Sequence, residues 1–281
     1  MTERMTMLIT GASGLLGRSL LGRPDAAGHL VRAMSRRGAP RSAAGQAPNI
    51  EWVVADLATG AGLDAAVEGA NVVIHAASDP RGDARRTDVI GTELLLAAAE
   101  RAGVRHVVYV SIVGIDRVPY PYYRLKLAAE DRIRSARVPW TILRGTQFHD
   151  LMDVQFRRLA RFPVVLLPKS WLGQPVHVDE FADALWACVT AGPSRRAPDV
   201  AGPEVLRYGD MMRVWLTAQR RRKLVLNLPL PGRTAGAFRR GGATAPGRAV
   251  GRLTWGAWVR AKYASATSQQ QSALDRSARP G

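Results

Sequence analysis

The chain holds a single cysteine, Cys188, so no disulfide can form within it. It also has no long hydrophobic run. Stretches such as Phe162 to Pro168 fall far short of the roughly 20 residues that a membrane-spanning helix requires. The start has no apolar segment of the kind that leads a secreted protein. These shortages together imply a soluble protein of the cytoplasm. Acidic residues are scarce too: 23 Asp and Glu stand against 40 Lys and Arg, a formal charge of +17. The arginines are scattered through most segments, with one dense run at Arg220-Arg221-Arg222-Lys223. That pattern reads as a global compositional bias, so nucleic acid is not an expected partner, nor is a membrane. Five histidines (29, 75, 106, 149 and 177) show no metal-ligand spacing, and no Ser-His-Asp arrangement is readable. Cys188 sits in an apolar helical pattern, where a small core residue is expected.

What is present is a chain of 281 residues, 47% of them hydrophobic, enough for a sizeable core. Met7-Leu8-Ile9-Thr10 reads as a buried strand running into Gly11-Ala12-Ser13-Gly14-Leu15-Leu16-Gly17. An apolar helical turn follows, and then a second strand from His29 to Met34. Strand, glycine-rich turn, helix and strand form the layout of a dinucleotide-binding βαβ unit. Gly11 permits a tight turn, Gly14 a close approach of backbone to a pyrophosphate, and Gly17 close packing of the helix on the sheet. A P-loop does not fit, because Arg18 stands where the lysine should be and Ala12 where the first glycine should be.

Strands are expected at Ile50–Ala55, Asn71–Ala76, Val104–Ser111 and Trp140–Arg144, with helices between them, among them Asp83–Ala102 with Leu94, Leu95, Ala98 and Ala99 on one stripe. This alternation predicts parallel strands and right-handed crossovers, hence an α/β fold with a doubly wound parallel (Rossmann) sheet over residues 1–146. Residues 147–263 are expected to form a small, mixed C-terminal substrate lobe, with some elements returning to the core and Asp179 capping a helix from Glu180 to Thr190. Residues 264–281 are small and polar and read as a disordered tail.

The end of the second strand selects the cofactor. Ser35-Arg36-Arg37-Gly38-Ala39-Pro40-Arg41 carries three arginines and no acid that would bind a ribose diol. Guanidinium groups suit a 2′-phosphate, so NADP(H) is expected and NAD(H) is the lesser alternative. Asp56, followed by Leu57, could receive the adenine amino group, and Ala76-Ala77-Ser78 offers small side chains beside a flat cofactor. The cofactor set is therefore Gly11, Ser13, Gly14, Leu15, Gly17, Ser35, Arg36, Arg37, Asp56, Leu57, Ala76, Ala77 and Lys126. Tyr122 and Lys126 share a helical face, and a nearby ammonium should lower the phenol's pKa. Ser111 ends the fifth strand, where a hydroxyl can polarise a substrate oxygen. No metal is expected.

The Gly-x-x-Gly-x-x-Gly turn led by Thr10, with Ser111, Tyr122 and Lys126, resembles the short-chain dehydrogenase/reductase superfamily. Asp88-Val89-Ile90-Gly91-Thr92, Val108 to Gly114, Trp140 to Arg144 and Val176-His177-Val178-Asp179 are similar to its atypical, NmrA-like or NAD(P)H-binding branch. Two departures stand out. Asp88 occupies a place where many extended members carry Asn, and the interval from Ser111 to Tyr122 is short. The resemblance implies an NADP(H)-dependent oxidoreductase, a monomer or homodimer, passing hydride to or from a small carbonyl, enone or quinone-like substrate. Tyr122, Lys126 and Ser111 would be its catalytic residues. Two other readings stay open: an NmrA-like sensor that binds the cofactor without turning it over, and a nucleotide-sugar epimerase or dehydratase.

Overall fold

The computed structural model describes residues 4–40, 47–80 and 82–264. The expected tail from 265 onward, and Arg41, lie outside the described residues. The first elements are β1 (Thr6–Thr10), α1 (Leu15–Leu21), α2 (Pro24–Ala27), β2 (Leu30–Ser35), β3 (Ile50–Val54), α3 (Leu63–Val67) and β4 (Val72–His75). A π-helical turn, Arg85–Ile90, leads into α4 (Gly91–Arg101), followed by β5 (His106–Ile112), α5 (Pro121–Arg134) and β6 (Trp140–Gly145). The sheet order is β3-β2-β1-β4-β5-β6, extended beyond β6 by the short strand Arg195–Arg196, and every pairing is parallel. That is the doubly wound order, in which the chain reverses direction between β1 and β4 and opens a crevice at the carboxyl ends of the strands.

Two compact units emerge. One contains residues 1–145 and 178–200, the other 146–177 and 201–281. On one face of the first unit's sheet Leu8, Val73, Val107 and Ile142 meet Leu95, Ala99, Ala129 and Ile133 from α4 and α5, and the alternate strand residues Met7, Ile9, Ile74 and Val108 are fully buried as well. Each fully buried aliphatic side chain contributes about 2 kcal/mol. The helical stripe differs by one position from expectation: Leu96 is buried, and Leu94 is exposed. The helix Val178–Ala191 starts one residue before Asp179, which is therefore a first-turn residue and not the cap. Its carboxylate accepts a 2.5 Å bond from Ser19 of α1 and lies 3.7 Å from Arg23. Cys188, on the same helix, is half-buried.

In the second unit, Met152, Phe156, Val165, Met211, Trp215, Trp255 and Trp258 form the core. The strands Val164–Pro168 and Leu224–Leu228 pair in parallel, and the helices His149–Leu159 and Tyr208–Ala218 pack with them. The helix Arg233–Arg239 follows, and residues 255–264 are also helical, so Ala264 belongs to a helix instead of starting a tail.

Candidate dinucleotide and proton-transfer site

The glycine turn has the backbone its spacing requires. Gly11 sits at φ +68°, and a Cβ there would lie 2.8 Å from Ala77 Cα. Such closeness lets the ends of β1 and β4 approach without a side chain between them. At Gly17 a Cβ would meet the Gly11 carbonyl oxygen at 2.3 Å and Ala12 Cα at 2.5 Å, so α1 lies directly against the turn. Gly14 is extended and caps α1 with no side-chain bond, leaving amide donors at the helix start. A hollow of about 200 Å³ opens here. Gly11, Ser13 and Gly14 form one wall, Ala76, Ala77, Ser78 and Asp79 another, and Ser35, Arg36, Asp56 and Leu57 close the far end.

These residues fit a dinucleotide. Small backbone-lined walls admit a pyrophosphate, and a cation closes the end where the adenosine half would sit. Arg36 is largely exposed and 3.9 Å from Asp79. Arg37 is exposed and outside the lining, its amide bonded to Ser35 Oγ at 3.2 Å. Asp56 Oδ1 accepts from the Ala58 amide at 2.9 Å, stiffening the turn that carries it. Leu15 and Gly17 are outside the lining; Gly17 positions the helix instead.

The hydroxyl of Tyr122 reaches the edge of this hollow. It lies 2.5 Å from Ser78 Oγ and donates to Asp88 Oδ1 at 3.3 Å. Asp88 is the hub. Its fully buried carboxylate also accepts from Ser78 Oγ at 2.7 Å and the Asp79 amide at 3.1 Å, and lies 3.8 Å from Lys126 Nζ. It sits within the π-helical turn, a form of helix that recurs at functional sites. In the sequence Asp88 opens the Asp88–Thr92 motif and departs from the usual Asn, whereas its place in the site follows from the tertiary fold.

Lys126 is placed differently from expectation. Its ammonium is buried and donates to Tyr109 Oη at 2.6 Å and to the Val110 carbonyl at 2.9 Å. Burial lowers it to about 8, opposed by the charges of Asp88 and Glu130. The phenol of Tyr122 is moved upward, not downward: burial raises it above its ordinary value, and the neighbouring Asp88 carboxylate raises it further. The expected lowering by Lys126 gives way because burial disfavours the phenolate and the Asp88 carboxylate touches the phenol, whereas the ammonium bonds Tyr109 and Val110 on β5.

Ser111 makes no hydrogen bond to Tyr122. It is buried, its Oγ has no well-formed hydrogen bond, and it lies close enough to Glu130 to help keep that carboxylate ionised. Glu130 belongs to a buried ion cluster with Arg144, whose Nε and Nη2 each donate at 2.7 Å. Behind the hub, His75 is locked between Thr10 Oγ1 (2.8 Å) and Thr92 Oγ1 (2.9 Å), and burial lowers it to about 3.

A doubly wound sheet with a glycine cradle at its switch point and a phenol at the cradle's rim defines a dinucleotide-binding protein of the Rossmann class. The chain belongs to the NAD(P)H-binding family, matching it over residues 11–190. It is 30% identical over 204 residues to the (4-alkanoyl-5-oxo-2,5-dihydrofuran-3-yl)methyl phosphate reductase of Streptomyces griseus subsp. griseus, covering 71% of this chain and 69% of that protein. It is also 30% identical over 202 residues to the ceramide reductase of Caulobacter vibrioides, covering 66% of this chain and 61% of the relative. The family is thus one of NAD(P)H-dependent reductases. In fold it resembles an NADPH-dependent quinone oxidoreductase from Escherichia coli solved with NADPH (TM-score 0.75, 17% identity, 92% of this chain and 99% of the other). The triphenylmethane reductase of Citrobacter sp. is similar in fold as well (TM-score 0.72, 18% identity, 92% and 99%).

Proposed function

We propose that the protein is an NADPH-preferring reductase of a small carbonyl, enone or quinone-like substrate, with Tyr122 as its proton donor. The observation that carries this reading is the Tyr122 hydroxyl at the rim of the glycine-walled hollow, hydrogen-bonded to Ser78 and Asp88. Gly11, Ser13 and Gly14 would hold the pyrophosphate, Asp56 would face the adenine end, and Arg36 would meet the 2′-phosphate. The reduced nicotinamide, when bound, supplies the hydride. Tyr122 then hands its proton to the substrate oxygen as negative charge develops there. The Asp88 carboxylate opposes ionisation of the phenol, so the proton stays on Tyr122 in the resting site. Lys126, anchored by Tyr109 and Val110, is held as a nearby donor for a ribose hydroxyl. The second unit, over residues 146–177 and 201–264, is left to select the substrate.

A second reading, the redox sensor that binds the cofactor without turnover, draws on Ser111, which influences Glu130 and has no hydrogen bond to Tyr122. One experiment separates the two. The protein is incubated with NADPH and a panel of aldehydes, ketones, enones and quinones while absorbance of the reduced cofactor is followed. Oxidation that drops at least a hundred-fold in Tyr122→Phe supports the reductase. No oxidation across the panel, with tight NADPH binding retained, favours the sensor. Cofactor choice is read by calorimetry: NADPH should bind more tightly than NADH, and Arg36→Ala should erase about ten-fold of that difference. Equal affinities for both cofactors in the unaltered protein would remove the NADPH preference.

A further inference from the structure

The charge of the protein is not spread as its sequence suggested. The described residues of the second unit hold 17 Lys and Arg against 4 Asp and Glu, whereas the first unit holds 19 against 17. Between Asp210 and residue 264 there is no acid at all, and none between Asp153 and His177. Of the four acids, Asp150 and Asp153 are engaged by Lys262 at 3.1 Å, and Asp210 pairs with Arg213.

Within this cationic unit lies an uncovered apolar face. The strands Val164–Pro168 and Leu224–Leu228 pair in parallel with Leu166 opposite Leu226, Val164 opposite Leu224 and Pro168 opposite Leu228. Partners in register project to the same side of a strand pair. One side therefore carries Val165 and Leu167, buried on the core, while the other is wholly apolar. On that outer side Leu166 is 51% exposed, Leu224 58%, Leu226 42% and Leu228 39%, and Phe162 at its edge is 63% exposed. Soluble monomers seldom leave such a row of leucines open to water.

Cations stand at both ends of the face. Because the strands are parallel, Arg161 and Phe162 come beside Arg220 to Lys223 at the starting end, joined by a 3.1 Å bond from Lys223 Nζ to the Phe162 carbonyl. At the finishing end Lys169 and Arg239 share a hollow of about 410 Å³ with Pro229, Leu230 and Pro231. Among the described residues, Arg161, Lys169, Arg221 and Arg222 have no carboxylate partner.

We propose that the outer face of this strand pair docks on an anionic lipid bilayer, its leucines and Phe162 entering the interface and its cations meeting headgroup phosphates. An apolar patch bordered by Lys and Arg is the arrangement that holds a protein on such a surface without spanning it. A second copy of the chain fits less well, because a two-fold contact would bring each cationic border against its own kind. Nucleic acid would engage the cations but leave the leucines in water. The surface is independent of the reductase reading and stands or falls separately from it.

The test uses the full chain with sedimented vesicles, one set of phosphatidylcholine alone and one of phosphatidylcholine with phosphatidylglycerol. The protein should pellet with the second set only, and capture should fall at least ten-fold when salt is raised to several times physiological strength. The triple change Arg161→Gln, Arg221→Gln, Arg222→Gln should weaken binding about five-fold for each charge, on the order of a hundred-fold together. The triple change Leu224→Ser, Leu226→Ser, Leu228→Ser should also lose at least ten-fold, and calorimetry with NADPH should show that both variants still bind the cofactor. Absence of capture by either vesicle set overturns the proposal, as does capture indifferent to the leucine changes. So does tight binding of a fluorescent oligonucleotide that needs the arginines but not the leucines. A dimer in sedimentation equilibrium that the leucine changes dissociate assigns the face to a second copy and equally overturns it.

Discussion

Replacing Asp88 by Asn removes one charge from the hub while keeping its shape. The asparagine oxygen can still accept from Ser78, as Oδ1 does, while the bond from the Asp79 amide to Oδ2 is lost because an amide nitrogen takes that place. The effect on Tyr122 follows from the 3.3 Å separation of phenol and carboxylate. Two unit charges at that distance, in an effective dielectric of about 20, interact by roughly 5 kcal/mol. Water at the half-buried phenol and the countercharge of Lys126 cut this several-fold, to about 1.4 kcal/mol, or ten-fold in the ionisation equilibrium. The sign is definite: the carboxylate opposes phenolate formation, so Asp88→Asn should let Tyr122 ionise at lower pH. Carbonyl reduction needs the protonated phenol, so its loss at high pH should begin earlier in the variant. Alcohol oxidation needs the phenolate and should quicken about ten-fold at a fixed pH below the transition. The assay is an ultraviolet difference titration of phenolate. Burial also raises Tyr109 and Tyr263, so the signal of Tyr122 is taken as the difference between a protein and its Tyr122→Phe counterpart. A titration that stays in place, or moves to higher pH, in Asp88→Asn would refute the charge argument.

Three further perturbations bear on the rest of the frame. Gly17→Ala places a Cβ on the backbone of Gly11 and Ala12, so NADPH affinity should fall at least ten-fold by calorimetry, and unchanged affinity would contradict the close packing. Arg144→Met leaves the fully buried Glu130 carboxylate with Arg134, at 2.5 Å, as its remaining cation and should cost about 3 kcal/mol in urea unfolding. Adding Glu130→Gln should recover part of that loss, whereas strictly additive costs would show that the two side chains are not coupled. Acid should weaken the fold through buried histidines: burial lowers His75 to about 3, His106 to about 4 and His149 to about 3. The unfolded chain takes up protons below about pH 6.5 that these rings refuse when folded, so stability falls as pH drops from there, by about 2 kcal/mol per histidine at pH 5. His75→Gln should flatten its share of that slope, and equal urea midpoints at pH 7 and pH 5 in the unaltered protein would exclude the effect.

The β1 to β6 frame and the glycine cradle were legible in the sequence because both are local. Alternating strands and helices of ordinary length leave a parallel sheet as their packed solution, and the spacing of Gly11, Gly14 and Gly17 places one turn against one helix. The lining of the hollow by Ser35, Arg36, Asp56, Ala76 and Ala77 follows from the same rule, that loops at the carboxyl ends of parallel strands share one crevice. The spacing of Tyr122 and Lys126 puts both on α5. Which groups they touch was decided elsewhere, because side-chain partners depend on elements distant in sequence. Asp88, some thirty residues upstream, claims the phenol, while Tyr109 and Val110 on β5 draw off the ammonium. Ser111 faces α5 because alternate residues of a strand share a side, and on that side Glu130 and Arg144 form an ion pair. The apolar face of the second unit has the same origin. Leu166 and Leu226 lie sixty residues apart, and only the register of two paired strands sets them side by side on the surface that water reaches.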